Sequence, residues 1–266
     1  MPSSVIKLPL KLRLLFAVYK FILNLSRRQN STVNRRLINF FDLKNPLSKT
    51  PRKGVVSSDA VIEASRNLWF RLYTPDTTVN GGGRLPRATR RVVSVNYRLA
   101  PEHQFPTQYE DGFDALKFLD DNVDKLPVNV DPKLCFLAGD SAGGNLAHHL
   151  AVKAGEYEFS RLKLMGLIAI QPFFGGEERT ESEIRNFGGP LCLWRIQIGQ
   201  VSGNVDFDGW QRKYYDGLKK AGKEVDLLQD PNAFHGSYVF KELPGSAFFV
   251  KGIQDFMQKH LNKENC

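Results

Sequence analysis

Cysteine is scarce in this 266-residue chain: Cys135, Cys192 and Cys266 are the only three. Three thiols make neither an even disulfide framework nor a metal-ligand spacing, which excludes a disulfide-stapled secreted scaffold and a zinc module and fits a reducing compartment. Long apolar runs are lacking as well. Arg13 and Lys20 interrupt the stretch from Leu12 to Leu25, and the run Leu14 to Tyr19 falls far short of the roughly twenty residues that a membrane span needs. It is also too short and too poorly flanked for a secretory signal. The chain is therefore expected in the cytoplasm, with the nucleus as a second compartment. No repeat, low-complexity tract or Pro/Ser/Gly linker divides it, so a single domain over 1–266 is expected, with 1–45 as an N-terminal helical extension.

The net charge of +9 raises the question of nucleic acid. The Lys and Arg are spread over the chain, and the densest cluster, Arg27-Arg28 with Arg35-Arg36, is not interleaved with stacking aromatics. A solvated basic face is the reading, and no nucleic-acid partner is expected. A hydrophobic content of 42% is ordinary for a globular protein with a sizeable core and excludes disordered and collagen-like classes.

Apolar residues recur at helical spacing at Leu14, Leu15, Val18, Phe21, Ile22 and Leu25, and Ser31-Thr32 is placed to cap a second short helix through Leu37, Ile38, Phe40 and Phe41. Val55 to Ile62 and Asn67 to Tyr73 read as an antiparallel hairpin. Arg91 to Tyr97 is a strand with an apolar centre, and a helix from about Gln108 to Asn122 follows. Leu162 to Ile170 is a further strand, Trp210 to Ala221 a helix, Val225 to Leu228 a short strand and Ala247 to Leu261 a closing helix. Strands alternating with helices imply an α/β fold whose mostly parallel sheet is flanked by helices.

The chemistry centres on Leu134 to Leu150. An apolar run through Ala138 reads as a buried strand, Gly139-Asp140-Ser141-Ala142-Gly143 turns sharply, and a helix follows. Strand, G-x-S-x-G, helix is the context in which a serine hydroxyl stands exposed at the apex of a tight turn, and the Ala142 N–H at the helix start is aimed at a developing oxyanion. Gly139 and Gly143 are expected to lack a Cβ so that strand and helix do not collide. A serine needs a neutral imidazole to take its proton and a carboxylate to hold that imidazole. Of the five histidines, His148 and His149 sit about two turns past Ser141 and point away or pack. His260 lies at a polar helix end, where solvation is expected. His235, in the loop Pro231 to Gly236, is the candidate base. Chain order then restricts the acid to residues between Ser141 and His235; among them Asp206 and Asp208 stand just before a helix, with Asp206 the candidate acid, Asp208 the alternative and one of the two a helix cap.

At these residues the chain resembles the plant carboxylesterases of the α/β-hydrolase class, a family close to the soluble gibberellin receptors. The resemblance rests on Ser26-Arg27-Arg28, Thr32 to Leu37, Val92 to His103, Ala138 to His149, Gln171 to Glu183, Trp210 to Val225 and Pro231 to His235, and covers most of the chain. It implies an α/β-hydrolase fold with an N-terminal helical lid, Ser141 as nucleophile, His235 as base, and no metal or organic cofactor. The receptors have lost the histidine at this position, so its presence argues for an esterase.

Two departures matter. Complete members carry, before the segment matching Val92 to His103, an apolar strand ending in His-Gly-Gly-Gly, which supplies most of the oxyanion hole. Here Leu85-Pro86 runs almost directly into Arg91, and only Asn80-Gly81-Gly82-Gly83 remains, with Gly82 and Gly83 as candidate oxyanion donors. After Leu191 a lid segment and a strand leading to the acid are also missing, so an incomplete sheet is expected. The function implied is a serine carboxylesterase that hydrolyses small apolar esters through an acyl-enzyme, with its activity impaired by the lost oxyanion strand. The alternatives are a non-catalytic, receptor-like small-molecule binder and a truncated inactive isoform.

Overall fold

The structure, a computed structural model, describes residues 9–30, 32–41, 46–76, 91–126, 131–175, 209–230 and 233–263. They fall into two compact units. The first comprises Leu8–Pro132 with Tyr157–Leu162, and the second Lys133–Glu156 with Lys163–Cys266.

The first unit begins with α1 (Leu10–Ser26) and α2 (Arg35–Phe41). The cap of α2 is Asn34, whose Oδ1 accepts the Leu37 N–H at 3.3 Å. Thr32, expected as part of a Ser31-Thr32 cap, instead donates from Oγ1 to Asn30 at 2.6 Å. The helix starts at Arg35, so the capping position falls on the residue before it. α1 buries Leu12 and Ser26 and leaves Leu10, Leu14, Val18, Phe21 and Leu25 exposed along one face. The Arg35 guanidinium is bidentate to Glu102, with Nε at 2.9 Å and the terminal nitrogen at 2.6 Å. That pairing ties α2 to the loop after the third strand and pulls the Glu102 carboxyl down to about 2.

β1 (Val55–Glu63) and β2 (Leu68–Pro75) form the expected antiparallel hairpin, and β3 (Val92–Asn96) pairs antiparallel with β2. The turn between β1 and β2 is a single helical turn that ends at Asn67, in the left-handed conformation at φ 52°. β2 alternates strictly, with Leu68, Phe70, Leu72 and Thr74 buried. α3 (Thr107–Asn122) turns Phe113, Ala115 and Leu116 inward, and Phe118 meets Phe70 edge-on at 5.8 Å. Among the described residues the other edge of β3 meets no strand, and Val92, Ser94 and Asn96 are exposed.

Two buried carboxylates lock α3 in place. Asp111 is fully buried and takes the Arg98 guanidinium at 2.7 Å and the Arg98 N–H at 2.9 Å. Asp120 accepts three successive backbone N–H groups, from Ser160, Arg161 and Leu162, at 2.8, 2.7 and 2.6 Å. Desolvation works against both charges, but the hydrogen bonds outweigh it and both carboxyls lie below their ordinary value.

In the second unit β4 (Cys135–Asp140) pairs parallel with β5 (Leu164–Ile170), joined through α4 (Ala142–Gly155), which buries Gly144, Ala147, Leu150 and Ala154. α5 (Trp210–Lys220) and α6 (Pro244–Lys263) complete it. Phe256 of α6 meets Phe136 of β4 at 6.2 Å. The expectation of a buried elbow strand needs correction, since every residue of β5 is only half-buried and β4 has none fully buried. Among the described residues this sheet has two strands, too few to enclose its own faces and edges. For the same reason Val225 to Leu228 forms no strand: it finds no partner ladder among the described residues, and Leu227 and Leu228 are exposed.

Removing the Asp111 carboxylate strands the Arg98 charge and its N–H, so Asp111→Ala should cost about 2 to 4 kcal/mol in denaturant unfolding. The stability that Asp111 and Asp120 give is present above their ordinary value of 3.8 and is lost as pH falls through their lowered folded values. An Asp111→Ala variant should therefore show a weaker acid dependence of its melting temperature than the parent chain.

Candidate active site

β4 delivers Ser141 to the turn, and the backbone there is strained. Ser141 has φ 54° and ψ −115°, a conformation that a residue with a Cβ rarely adopts. Four hydrogen bonds hold it. The Ser141 N–H donates to the Ile170 carbonyl at 2.9 Å, extending the β4–β5 pairing by one residue. Its carbonyl accepts from the N–H groups of Gly144, Asn145 and Phe173 at 3.0, 3.2 and 2.9 Å. The first helical residue is Ala142, whose N–H belongs to the turn of donors that helix geometry leaves without an intrahelical acceptor.

The glycines of the turn do not divide the work as expected. A Cβ on Gly139 would stand 1.9 Å from the Gly143 carbonyl oxygen, an impossible contact with backbone. A Cβ on Gly143 would meet nothing within 4 Å. The second crowded position is Gly144, where a Cβ would fall 2.9 Å from Pro172 Cβ and 3.1 Å from the Gly139 carbonyl oxygen. The steric need thus pairs Gly139 with Gly144, because helix α4 turns Gly144, and not Gly143, toward the strand ends.

The His235 loop is brought to the end of β5. Gln171, the first residue past that strand, accepts the Gly236 N–H on Oε1 at 2.7 Å and donates from Nε2 to the Phe234 carbonyl at 3.3 Å. Gly236 has φ 78°, so the turn after His235 needs a glycine. Burial pushes the His235 imidazole below its ordinary 6.5, and the Asp140 carboxylate pulls in the opposite direction with smaller effect. His235 is thus neutral at neutral pH. Tyr238, one turn on, hydrogen-bonds Asp140, and burial together with that carboxylate pushes its phenol up. Asp140, which no sequence pattern marks, is the carboxylate that acts on both His235 and Tyr238 of this loop.

The other histidines resolve differently. His148 packs, its Nδ1 3.0 Å from the Tyr214 hydroxyl and its ring edge-on to Phe174, while His149 is exposed. His260 is only half-exposed: its ring meets Phe256 at 4.6 Å in a tilted arrangement, and its Nε2 is buried without a hydrogen-bond partner among the described residues. The helical spacing of Phe256 and His260 was the available signal. Asp206, Asp208, Gly82 and Gly83 lie outside the described residues. Among the described residues no cluster of side chains is suited to a metal ion, and no helix is long and apolar enough to cross a membrane.

The α/β hydrolase fold family matches residues 72–197. Over 334 aligned positions the chain is 33% identical to a gibberellin receptor of Arabidopsis thaliana, covering 96% of this chain and 95% of the receptor. A probable carboxylesterase of the same plant is 42% identical over 164 positions, half of this chain and 49% of that protein. Among solved structures, an esterase from Rhizomucor miehei matches with a TM-score of 0.65 at 19% identity, over 92% of this chain and 97% of its own. That likeness bears on the fold.

Gly139→Ala should prevent the turn from closing, at a cost of more than about 4 kcal/mol. Gly143→Ala should leave stability unchanged or raise it by up to about 1 kcal/mol, since a helical Ala replaces Gly in open space. Thermal melts of the two variants test the assignment. Cys135, pushed up to about 11 by burial in β4, should alkylate with iodoacetamide at pH 8 more slowly in the folded chain than in denaturant.

Proposed function

Because the chain belongs to the plant carboxylesterase and gibberellin-receptor family of α/β-hydrolases, we propose that it is a serine carboxylesterase acting on small apolar carboxylic esters. The observation that supports this most is the strained Ser141 at the end of β4, beside a histidine loop whose imidazole stays neutral. The Ser141 Oγ attacks the ester carbonyl carbon as His235 takes the hydroxyl proton. The resulting oxyanion accepts a hydrogen bond from the Ala142 N–H. As the tetrahedral intermediate collapses, the C–O bond to the alcohol breaks and His235 returns the proton to the leaving oxygen. Water, activated by the same imidazole, then releases the acid and regenerates Ser141. Asp206 is proposed to orient the imidazole, with Asp208 the alternative, and the N-terminal helices to cover the pocket as a lid. A single domain over 1–266 remains the proposed organisation, with the cytoplasm as its location.

The oxyanion hole is the weak part of this enzyme. Each lost donor costs about 3 to 4 kcal/mol of transition-state stabilisation, so a chain relying on Ala142, with Gly82 and Gly83 as the proposed remainder, turns over slowly. That deficit favours a second reading, a non-catalytic binder of small molecules, for which the whole-length similarity to a gibberellin receptor is the supporting observation.

A fluorophosphonate serine probe should label the purified chain, and Ser141→Ala should abolish labelling. Unchanged ester turnover in Ser141→Ala would sink the assignment, while saturable gibberellin binding without turnover would establish the second reading. For the active enzyme kcat/KM should be flat from neutral pH upward and fall through an apparent value below 6.5, because burial disfavours the imidazolium. Asp140→Asn removes the charge that favours the imidazolium, so that acid limb should move to still lower pH.

A further inference from the structure

Gln171 lies outside the machinery assigned above, and two independent features set it apart. Its backbone is left-handed, with φ 41°, a conformation costly for a residue that is neither glycine nor asparagine. Its side-chain amide also spends both functions on one loop, donating to the Phe234 carbonyl and accepting from the Gly236 N–H, the two peptide groups that flank His235.

The neighbours of Gln171 are bonded to the serine. On one side the Ile170 carbonyl accepts the Ser141 N–H, and on the other the Phe173 N–H donates to the Ser141 carbonyl. Residues 170 to 173 therefore hold the nucleophile's backbone through their main chain and the base's loop through one side chain. The left-handed turn lets both happen at once, because it swings the Gln171 side chain off the line of β5 while the flanking peptides stay in register with Ser141.

The geometry points to Gln171 as a positioning residue that fixes the His235 loop relative to Ser141. This rests on the esterase reading for its catalytic consequence, though not for the clamp itself. The amide must supply one donor and one acceptor. Glutamate keeps the acceptor for Gly236 N–H, loses the donor to Phe234 and sets a carboxylate beside the imidazole. Alanine removes both.

The test uses the full chain and its Gln171→Ala and Gln171→Glu variants. Hydrogen exchange followed by mass spectrometry should rise over residues 233–240 in Gln171→Ala, with the β1–β3 hairpin sheet unchanged. The rate of fluorophosphonate labelling should fall about ten- to a hundredfold, the scale set by misplacing a catalytic group by about 1 Å. In Gln171→Glu the acid limb of the labelling-rate profile should move to higher pH, a change that mere loosening of the loop does not produce. This second variant serves also if Gln171→Ala fails to fold. Wild-type exchange over 233–240 together with an unshifted limb in Gln171→Glu would overturn the inference. A parent chain that is never labelled, but whose loop exchange still rises in the variants, keeps the clamp and removes the esterase reading. A labelled parent with variants indistinguishable from it does the reverse.

Discussion

The strained peptide at Ser141 is the constraint on which the second unit depends. A non-glycine residue in such a conformation costs on the order of 1–3 kcal/mol. The four hydrogen bonds made by the Ser141 N–H and carbonyl offset that cost at roughly 0.5–1.5 kcal/mol each. Those bonds exist only if β5 lies parallel beside β4, if α4 starts at Ala142 and if the chain after β5 turns back at Gln171. Gly139 and Gly144 let helix and strand approach closely enough to make them. Strand order, helix entry and the turn to Phe173 are thus three consequences of one peptide.

The same logic explains where the fold weakens. β3 is bonded on one edge to β2, and the parallel pair β4–β5 makes a separate sheet among the described residues. In the complete members that the sequence resembles, an apolar strand ending in the oxyanion glycines precedes the segment matching β3. The alignment with the gibberellin receptor runs over 334 positions although the chain holds 266 residues, so a substantial part of the receptor passes opposite nothing here. Among the described residues, the half-buried β4 and β5, the exposed alternate residues of β3 and the strandless Val225 to Leu228 fit ladders without further partners, which leave apolar sequence uncovered.

Local patterns made much of this legible in advance. The hairpin of β1 and β2, the strand–turn–helix around Ser141 and the helices α3, α5 and α6 follow from periodicity and turn chemistry, which act within a few residues. Gly143 misled because G-x-S-x-G is a pattern of spacing, whereas the clash depends on which way α4 turns after Ala142. Asn34 replaced Ser31-Thr32 as a cap because helix ends are set to within a residue or two only by the folded chain. The polar surroundings of His260 in sequence point to solvent, while Phe256 one turn earlier supplies a ring for it to pack against. Gln171 opens one of the stretches that carry the resemblance, but nothing local marks it as a link to the His235 loop, since its partners lie 63 and 65 residues away.

Binding a small apolar ligand needs a covered pocket, and neither the nucleophile nor the base contributes more to that than their shapes. Turnover needs charge to be stabilised on an oxygen twice, once in acylation and once in deacylation, and both barriers rise together when donors are lost. Weak oxyanion stabilisation therefore lowers the rate of each step without trapping an acyl-enzyme between them, and leaves ligand affinity nearly untouched. On the esterase reading proposed above, a chain that keeps Ser141, a neutral His235 and the clamp at Gln171 but offers fewer oxyanion donors shifts along that single coordinate, from catalyst toward binder.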